Sequence, residues 1–487
     1  IPAEIEYKEK IVFGLTFMQI VIALPFLFLV FIIFKSGMNL YLSGIISSII
    51  IGLASLFMFF ELGEKLKNFI IWKTAFAKLN YSVEDYIIHD KKKIAVLKIL
   101  PINFAIKTDE EKETIVLQFQ KFLNSIDFPI QFLINTDTVN LDSYLDALER
   151  RINKKYSNLF KKYKEYLKGT ISKNSIMNRN FYLVIKETSN IENQVEICVE
   201  RLENMNLKVE VLKKEQLQDL MDKFVSDDSV ENKVDYLKIK KFNRIIYAYG
   251  YPRIVEAGFL DRLVSSIGNF DISLHIEPEH IEKTMVMLNK ELQKQRADLY
   301  AEELRGILNP ALEIKYSDTR KLLENLQKGC DKLFNVSLYI NVKADNLEEL
   351  NLLSKKVESE LNSLLIIPKT ANYRMLQGYK SILPMVNDEL KVKRNITTYS
   401  LGAFFPFTSP FLQLDDSGVW LGLNKNKIPI IRDVFKLSNA NGLILASSGS
   451  GKSYFAKLLI SRHLLNNTKV MVVDPQGEYK NLVKQFD

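Results

Sequence analysis

Gly442-Leu443-Ile444-Leu445-Ala446-Ser447-Ser448-Gly449-Ser450-Gly451-Lys452-Ser453-Tyr454-Phe455-Ala456-Lys457-Leu458-Leu459-Ile460 is the stretch from which the rest of the chain is read. The apolar run 443–446 predicts a buried strand, the small residues after it a tight loop, and Lys452-Ser453-Tyr454 the start of an apolar-periodic helix. Small side chains let backbone N–H groups converge on phosphate oxygens, and a helix N-terminus adds unpaired donors and a partial positive charge. Ala446, Ser447, Ser448, Gly449, Ser450, Gly451, Lys452, Ser453 and Tyr454 therefore form a candidate phosphate cradle. Lys452 is placed to reach the β- and γ-phosphates of ATP, and the Ser453 hydroxyl to ligate Mg²⁺. The first glycine of the usual pattern is Ala446 here; its extra methyl group leaves the loop able to form.

Downstream, Asn466-Asn467 turns the chain into 469–474, whose apolar run predicts a second buried parallel strand. Strand, loop, helix and strand make a βαβ unit, and such sheets bind ligands at the carboxyl ends of their strands. Asp474, behind the metal position, and Glu478 would then face the phosphate end. Glu478 could equally cap the following helix and hold its turn.

Working outward, 487 residues suffice for several domains, and 47% hydrophobic content is unevenly spread. Residues 15–34 and 42–60 lack charge and approach the ~20 apolar residues of a membrane span. They predict a two-helix transmembrane hairpin in residues 1–80, with Gly44, Ser48 and Gly52 on the face that meets the partner helix. Lys8 and Lys10 before the spans, and Lys65, Lys67 and Lys73 after them, put both ends and the soluble domains on the cytoplasmic side of the cell membrane. Residues 62–76 predict a helix along the inner surface of the bilayer. The net charge of +8 is spread over lysine-rich helices without a stripe that would mark a nucleic-acid channel. Cys198 and Cys330 are the only cysteines and imply no disulfide framework. Cys198 shares an apolar helical stripe with Ile191, Val195 and Leu202.

Between these ends, strands and helices alternate in a way that predicts α+β domains at 91–224 and 242–400, divided by the polar stretch 225–241. Thr108-Asp109-Glu110-Glu111 is a capping box opening a helix that buries Ile115, Phe119, Phe122 and Ile126. A single lysine-rich helix is expected over 141–167, and another over 256–267. His275-Ile276-Glu277-Pro278-Glu279-His280 reads as a strand end feeding a helix, with no third ligand nearby for a metal. Phe404, Phe405 and Phe407 read as core, and 419–423 with 428–431 as a β-hairpin leading into the incomplete P-loop domain of 401–487.

"LILASSGSGKSYFAKLLI" with "VMVVDPQGEY" closely resembles the HerA–FtsK superfamily, and within it the TraC-like conjugative-transfer ATPases of type IV secretion systems. "INFAIKTDEEKETIVLQFQKFLNSIDFPIQ", "YGYPRIVEAGFL", "FPF" and "DDSGVWLG" extend the resemblance across 91–487, and the opening "IPAEIEYKEKIVFGLT" resembles small PrgI-type membrane proteins of conjugative elements. The resemblance implies a RecA-like α/β ATPase domain and a hexamer at the inner membrane. Such a hexamer works with secretion-channel components and powers channel or pilus assembly and passage of DNA or protein. It also implies a catalytic role for Glu478, which lies 26 residues after Lys452, where RecA-like and rotary ATPases carry a carboxylate that positions water. The chain stops at Asp487, before any apolar strand ending in Asp-Glu, so this polypeptide is expected to lack sustained ATPase activity alone. Two other readings are an FtsK-type DNA-translocating motor and a nucleotide-binding scaffold that does not hydrolyse.

Overall fold

This computed structural model describes residues 10–486, apart from 13–14, 36–38, 60–79, 139–140, 175–176, 226–229, 253–254, 267, 307, 330, 410–416, 424–428, 438 and 448. The expected surface helix at 62–76, Cys330 and Ser448 thus lie outside the described residues, as do Asp415 and Asp416.

The body of the molecule is one 13-stranded sheet. In chain order its strands are β1 (Tyr81–Val83), β2 (Ile87–His89), β3 (Lys92–Leu100), β4 (Ile130–Thr138), β5 (Met177–Lys186), β6 (Lys208–Val211), β7 (Glu231–Asn232), β8 (Leu237–Ile239), β9 (Lys241–Gly250), β10 (Phe270–Pro278), β11 (Leu333–Ala344), β12 (Ile367–Thr370) and β13 (Arg394–Thr397). They lie in the order β1-β2-β3-β5-β4-β10-β11-β9-β8-β7, with β6 added on β3, β12 on β9 and β13 on β11. Every ladder among them is antiparallel. The expected fold class of separate α+β domains is corrected here: β4 pairs β10 from Ile130↔Ile276 to Ile134↔Ile272, so segments 91–224 and 242–400 share one sheet. Short polar connections predicted a boundary, but edge pairing across it is a tertiary event that local composition does not report.

Strand side chains alternate between faces. One face carries Ala95, Leu97, Ile99, Phe132, Ile134, Ile272, Leu274, Leu338 and Ile340 and is dry. It packs against α3 (Asp109–Ser125), α6 (Ile191–Glu203) and α11 (Leu347–Ser363). Thr108 caps α3 as expected, its hydroxyl accepting from the Glu111 amide while the Glu111 carboxylate accepts from the Thr108 amide at 2.9 Å. Cys198 is fully buried in α6, and burial pushes its thiol up to about 12, leaving it an inert packing group. Phe404, Phe405 and Phe407 close this core, Phe405 meeting Phe119 edge-on at 5.4 Å.

The opposite face is partly polar. Gln131 of β4 donates to Ser273 Oγ at 2.8 Å and to Leu383 O at 3.0 Å, and accepts from the Val386 amide at 2.9 Å, tying α12 (Met375–Ile382) and the loop after it to the sheet. Asp271 of β10, 1% exposed, accepts from Lys343 Nζ at 2.7 Å and Asn341 Nδ2 at 3.3 Å on β11, and from Asn135 Nδ2 at 2.9 Å and the Thr136 amide at 3.0 Å on β4. One carboxylate thus binds both halves of the sheet together.

Several expected helices are redrawn. The single lysine-rich helix is two, α4 (Asp142–Arg151) and α5 (Ser157–Asn174), because Ile152 turns extended after Arg151 and lets both helices bury an apolar stripe against each other. The helix expected at 256–267 is only α8 (Asp261–Ser265), as Gly258 takes a positive φ of 78° that no helix tolerates. Pro278 ends β10, and the following helix α9 (Ile281–Leu304) starts after the cap at His280; α10 (Pro310–Gln327) packs back on α9. No group of metal-ligating residues occurs among the described residues.

The expected transmembrane hairpin is also corrected. Helices α1 (Phe17–Lys35) and α2 (Leu40–Phe59) form and pack together, but among the described residues no helix is long and apolar enough to cross a membrane. The small-residue contact also moves to a neighbouring face. Ser43, Ser47 and Ala54 are buried, whereas nothing lies within 4 Å of where a Cβ on Gly44 or Gly52 would sit.

Asp271→Ala should leave buried Asn135 and Asn341 and half-buried Lys343 without their shared acceptor and cost about 3–5 kcal/mol. Urea unfolding checks it; a loss under about 1 kcal/mol would show that the carboxylate does not hold the halves together.

Candidate functional site

The C-terminal segment begins with a β-hairpin, β14 (Val419–Leu423) paired to β15 (Pro429–Arg432) as expected. Gly418, at φ 113°, opens it where a Cβ would stand 2.3 Å from Arg432 O, so only glycine fits. Ser417 Oγ donates to Asp433 Oδ2 at 2.7 Å and closes the hairpin's end.

From there the chain passes through 443–446 to the loop and helix α14 (Lys452–Leu465). Gly449 and Gly451 take positive φ of 77° and 90°, and nothing lies within 4 Å of where their Cβ atoms would be. The Ser450 amide and hydroxyl both donate to Ser447 O, at 3.3 and 2.7 Å, and fold the loop back on itself. The first bond of α14 runs from the Phe455 amide to Gly451 O at 2.9 Å, and no side chain caps the helix. The amides of Lys452, Ser453 and Tyr454 therefore have no intrahelical acceptor and point out of the helix start. Lys452 and Tyr454 are exposed and Ser453 is half-buried. An open glycine concavity, three forward amides, an ammonium and a hydroxyl fit a nucleotide's phosphate chain with Mg²⁺, Lys452 and Ser453 being the residues to hold them.

Neither flanking apolar run forms the expected buried strand. Leu443 and Leu445 are 81% and 82% exposed, Met471 and Val473 92% and 86%. A parallel strand is held by neighbours on both edges, and among the described residues neither run pairs with a strand. The loop and helix form all the same, because their bonds are local. The start of a RecA-like sheet expected here is corrected accordingly.

Asp474 and Glu478 serve the turn after 470–473. Asp474 Oδ2 accepts from the Tyr479 amide at 2.8 Å, and Asp474 O accepts from the Gly477 amide at 3.3 Å. The Tyr479 amide holds the Asp474 carboxyl below its ordinary 3.8. Glu478 Oε2 lies 4.0 Å from Lys457 Nζ of α14, whose ammonium also sits 5.3 Å from the Tyr479 ring centroid. This contact brings the turn beside α14, one to two turns beyond Lys452.

A residue that motif reading passed over anchors the whole segment. Arg462, 9% exposed, lies in the last turn of α14. Its guanidinium carbon is 4.2 Å from the Trp420 ring centroid, and Nη1 donates to Trp420 O. Trp420 in turn lies 5.8 Å from Tyr166 and 6.4 Å from Tyr163 of α5, and Tyr144 Oη of α4 donates to Gly418 O at 3.4 Å. Burial lowers the Arg462 pKa and raises that of Tyr163. An arginine at the end of an apolar-periodic helix reads as a solvated C-terminal charge, so only the packing reveals its place.

Comparison with known proteins agrees with the two ends of this arrangement. Residues 81–225 match the model of the archaeal TraC-like domain, and residues 420–486 that of the central domain of helicase HerA. The uncharacterized protein aq_aa31 of Aquifex aeolicus (strain VF5) is 36% identical over 66 residues, 13% of this chain and 24% of that protein. The chain thus spans about a quarter of that curated relative. TraC-like and HerA-type segments in one chain support a conjugation- or HerA–FtsK-type ATPase in general. Both matches lie beyond residue 80.

With the Asp474 pKa depressed, its hold on the 474–479 turn is complete above the ordinary value of 3.8 and is lost as pH falls through the lowered folded value. Carboxyl NMR should show Asp474 titrating below an ordinary aspartate, with Asp474→Ala releasing the Tyr479 amide; titration at the ordinary value would refute the bond's role.

Proposed function

We propose that this protein is the nucleotide-binding subunit of a type IV secretion or conjugation ATPase. ATP and Mg²⁺ would be held at 446–453, with hydrolysis between adjacent subunits of a hexamer energising channel or pilus assembly and transfer of DNA or protein. The observation that carries this reading is the union in one chain of an open phosphate cradle with a TraC-like platform on which its helix is seated. The same union supports a secretion-type ATPase over an FtsK-type DNA motor, whose pumping channel would call for a basic stripe.

Within the cradle, the amides of Lys452, Ser453 and Tyr454 would bind phosphate oxygens, Lys452 would neutralise the β- and γ-phosphates, and Ser453 Oγ would hold Mg²⁺. Bound Mg²⁺ supplies charge neutralisation at the transferred phosphoryl group. The Lys457 contact supports Glu478 as the residue that seats the turn against α14, ahead of its alternative role of positioning water. Residues 401–487 would form the P-loop unit carried by this platform. We place the protein at the cytoplasmic membrane, beside channel components. Support comes from the PrgI-type resemblance of residues 1–78 and from the exposed apolar side chains of α1 and α2, such as Phe28 at 64% and Ile45 at 60%.

Lys452→Ala in the full-length protein should abolish ATP turnover and weaken binding of a fluorescent ATP analogue at least tenfold, a loss of about 1.4 kcal/mol or more. Unchanged turnover would sink the role given to the cradle.

A further inference from the structure

Arg462 and Leu465 are the buried residues of α14, so this helix is seated through its last turn while its first turn, carrying Lys452, stands open. Ten residues separate Lys452 from Arg462, roughly 15 Å of rigid helix at 1.5 Å per residue. A tilt about the seated end therefore re-aims the loop. The seat is built from two distant parts of the chain. Trp420 comes from the hairpin, and Tyr144, Tyr163 and Tyr166 from the α4–α5 pair of the TraC-like segment; the Tyr163 and Tyr166 rings lie beside Trp420, and Tyr144 bonds the hairpin at Gly418.

The chemistry of the seat is not what simple packing would select. Arg462 Nε is buried with no acceptor among the described residues. A methionine would fill similar space without desolvating a charge, and such replacements of buried ions are often neutral or stabilising. What the guanidinium adds is direction: a planar cation stacked on one indole and bonded to that residue's carbonyl holds one orientation of helix against hairpin. The hairpin is in turn held to α4 through the Tyr144 bond to Gly418 O.

We propose that Arg462 is a positioning residue through which the α4–α5 pair controls the nucleotide loop: displacement of that pair re-aims the loop, and nucleotide binding in the loop shifts the surroundings of Trp420. Reciprocity is required, since any coupling between two sites acts equally in both directions. The inference rests on the nucleotide reading above and adds the surface that regulates the site.

Trp72 and Trp420 are the only tryptophans, so Trp72→Phe isolates the reporter in the full chain. Unlabelled ATP with Mg²⁺ should then produce a saturable change in Trp420 emission that Lys452→Ala removes. Arg462→Met should keep the thermal unfolding midpoint while weakening binding of a fluorescent ATP analogue roughly fivefold or more. Arg462→Lys should restore part of that affinity. Saturable binding of the analogue with silent Trp420 emission would overturn the coupling, as would unchanged affinity in folded Arg462→Met. If Arg462→Met does not fold, the Trp420 response of the chain with its arginine intact still decides. Failure of the unsubstituted chain to bind any ATP analogue overturns the nucleotide reading itself, and this inference with it.

Discussion

The platform depends on one buried carboxylate. Asp271 sits on the strand where the two halves of the sheet meet, and it accepts from β4 on one side and β11 on the other. Removing an ionised group from water is costly, and here the cost is offset only where both halves are in register to supply their donors. A one-residue slip would turn the Asp271 partners to the dry face, so the network specifies register as well as joining the halves. The neighbouring Gln131 extends the logic, binding α12 to the same face.

Against this sheet the C-terminal segment is attached lightly. Its contacts gather at Trp420, Ile431, Arg462 and Leu465, with the helical pair α4–α5 as their seat, and at Phe486, which meets Tyr156 between those two helices. The cradle itself touches little: its glycines face open space, and the apolar runs on either side of it are exposed. Helix α14 is thus seated at its last turn and open at its first.

Local chemistry was legible residue by residue. The capping box at Thr108, the buried stripe of Cys198, the aromatic core at Phe404, Phe405 and Phe407, the β14–β15 hairpin and the loop-to-helix junction at Lys452 each follow from neighbours within a few positions. Where the reading failed, a distant partner decided. The lysine-rich helix breaks because two short helices bury more apolar surface folded together than one long one, and 443–446 and 470–473 stay unpaired because strands need edges that no local pattern supplies. At α2 the contact face went to Ser43, Ser47 and Ala54, since adjacent small residues such as Ser43-Gly44 and Ser47-Ser48 offer neighbouring faces that only the partner distinguishes.

By itself the sequence determined the loop-to-helix geometry at 446–454, because it comes from glycine freedom and helix-end donors, all within nine residues. It also determined the alternation of strands and helices, which periodicity encodes. Tertiary structure alone decided that two apparent domains are one sheet, that Asp271 joins them, and that Arg462 seats α14 against Trp420. Each of these turns on groups tens to hundreds of residues apart whose desolvation is favourable only once the folded chain brings their partners within reach.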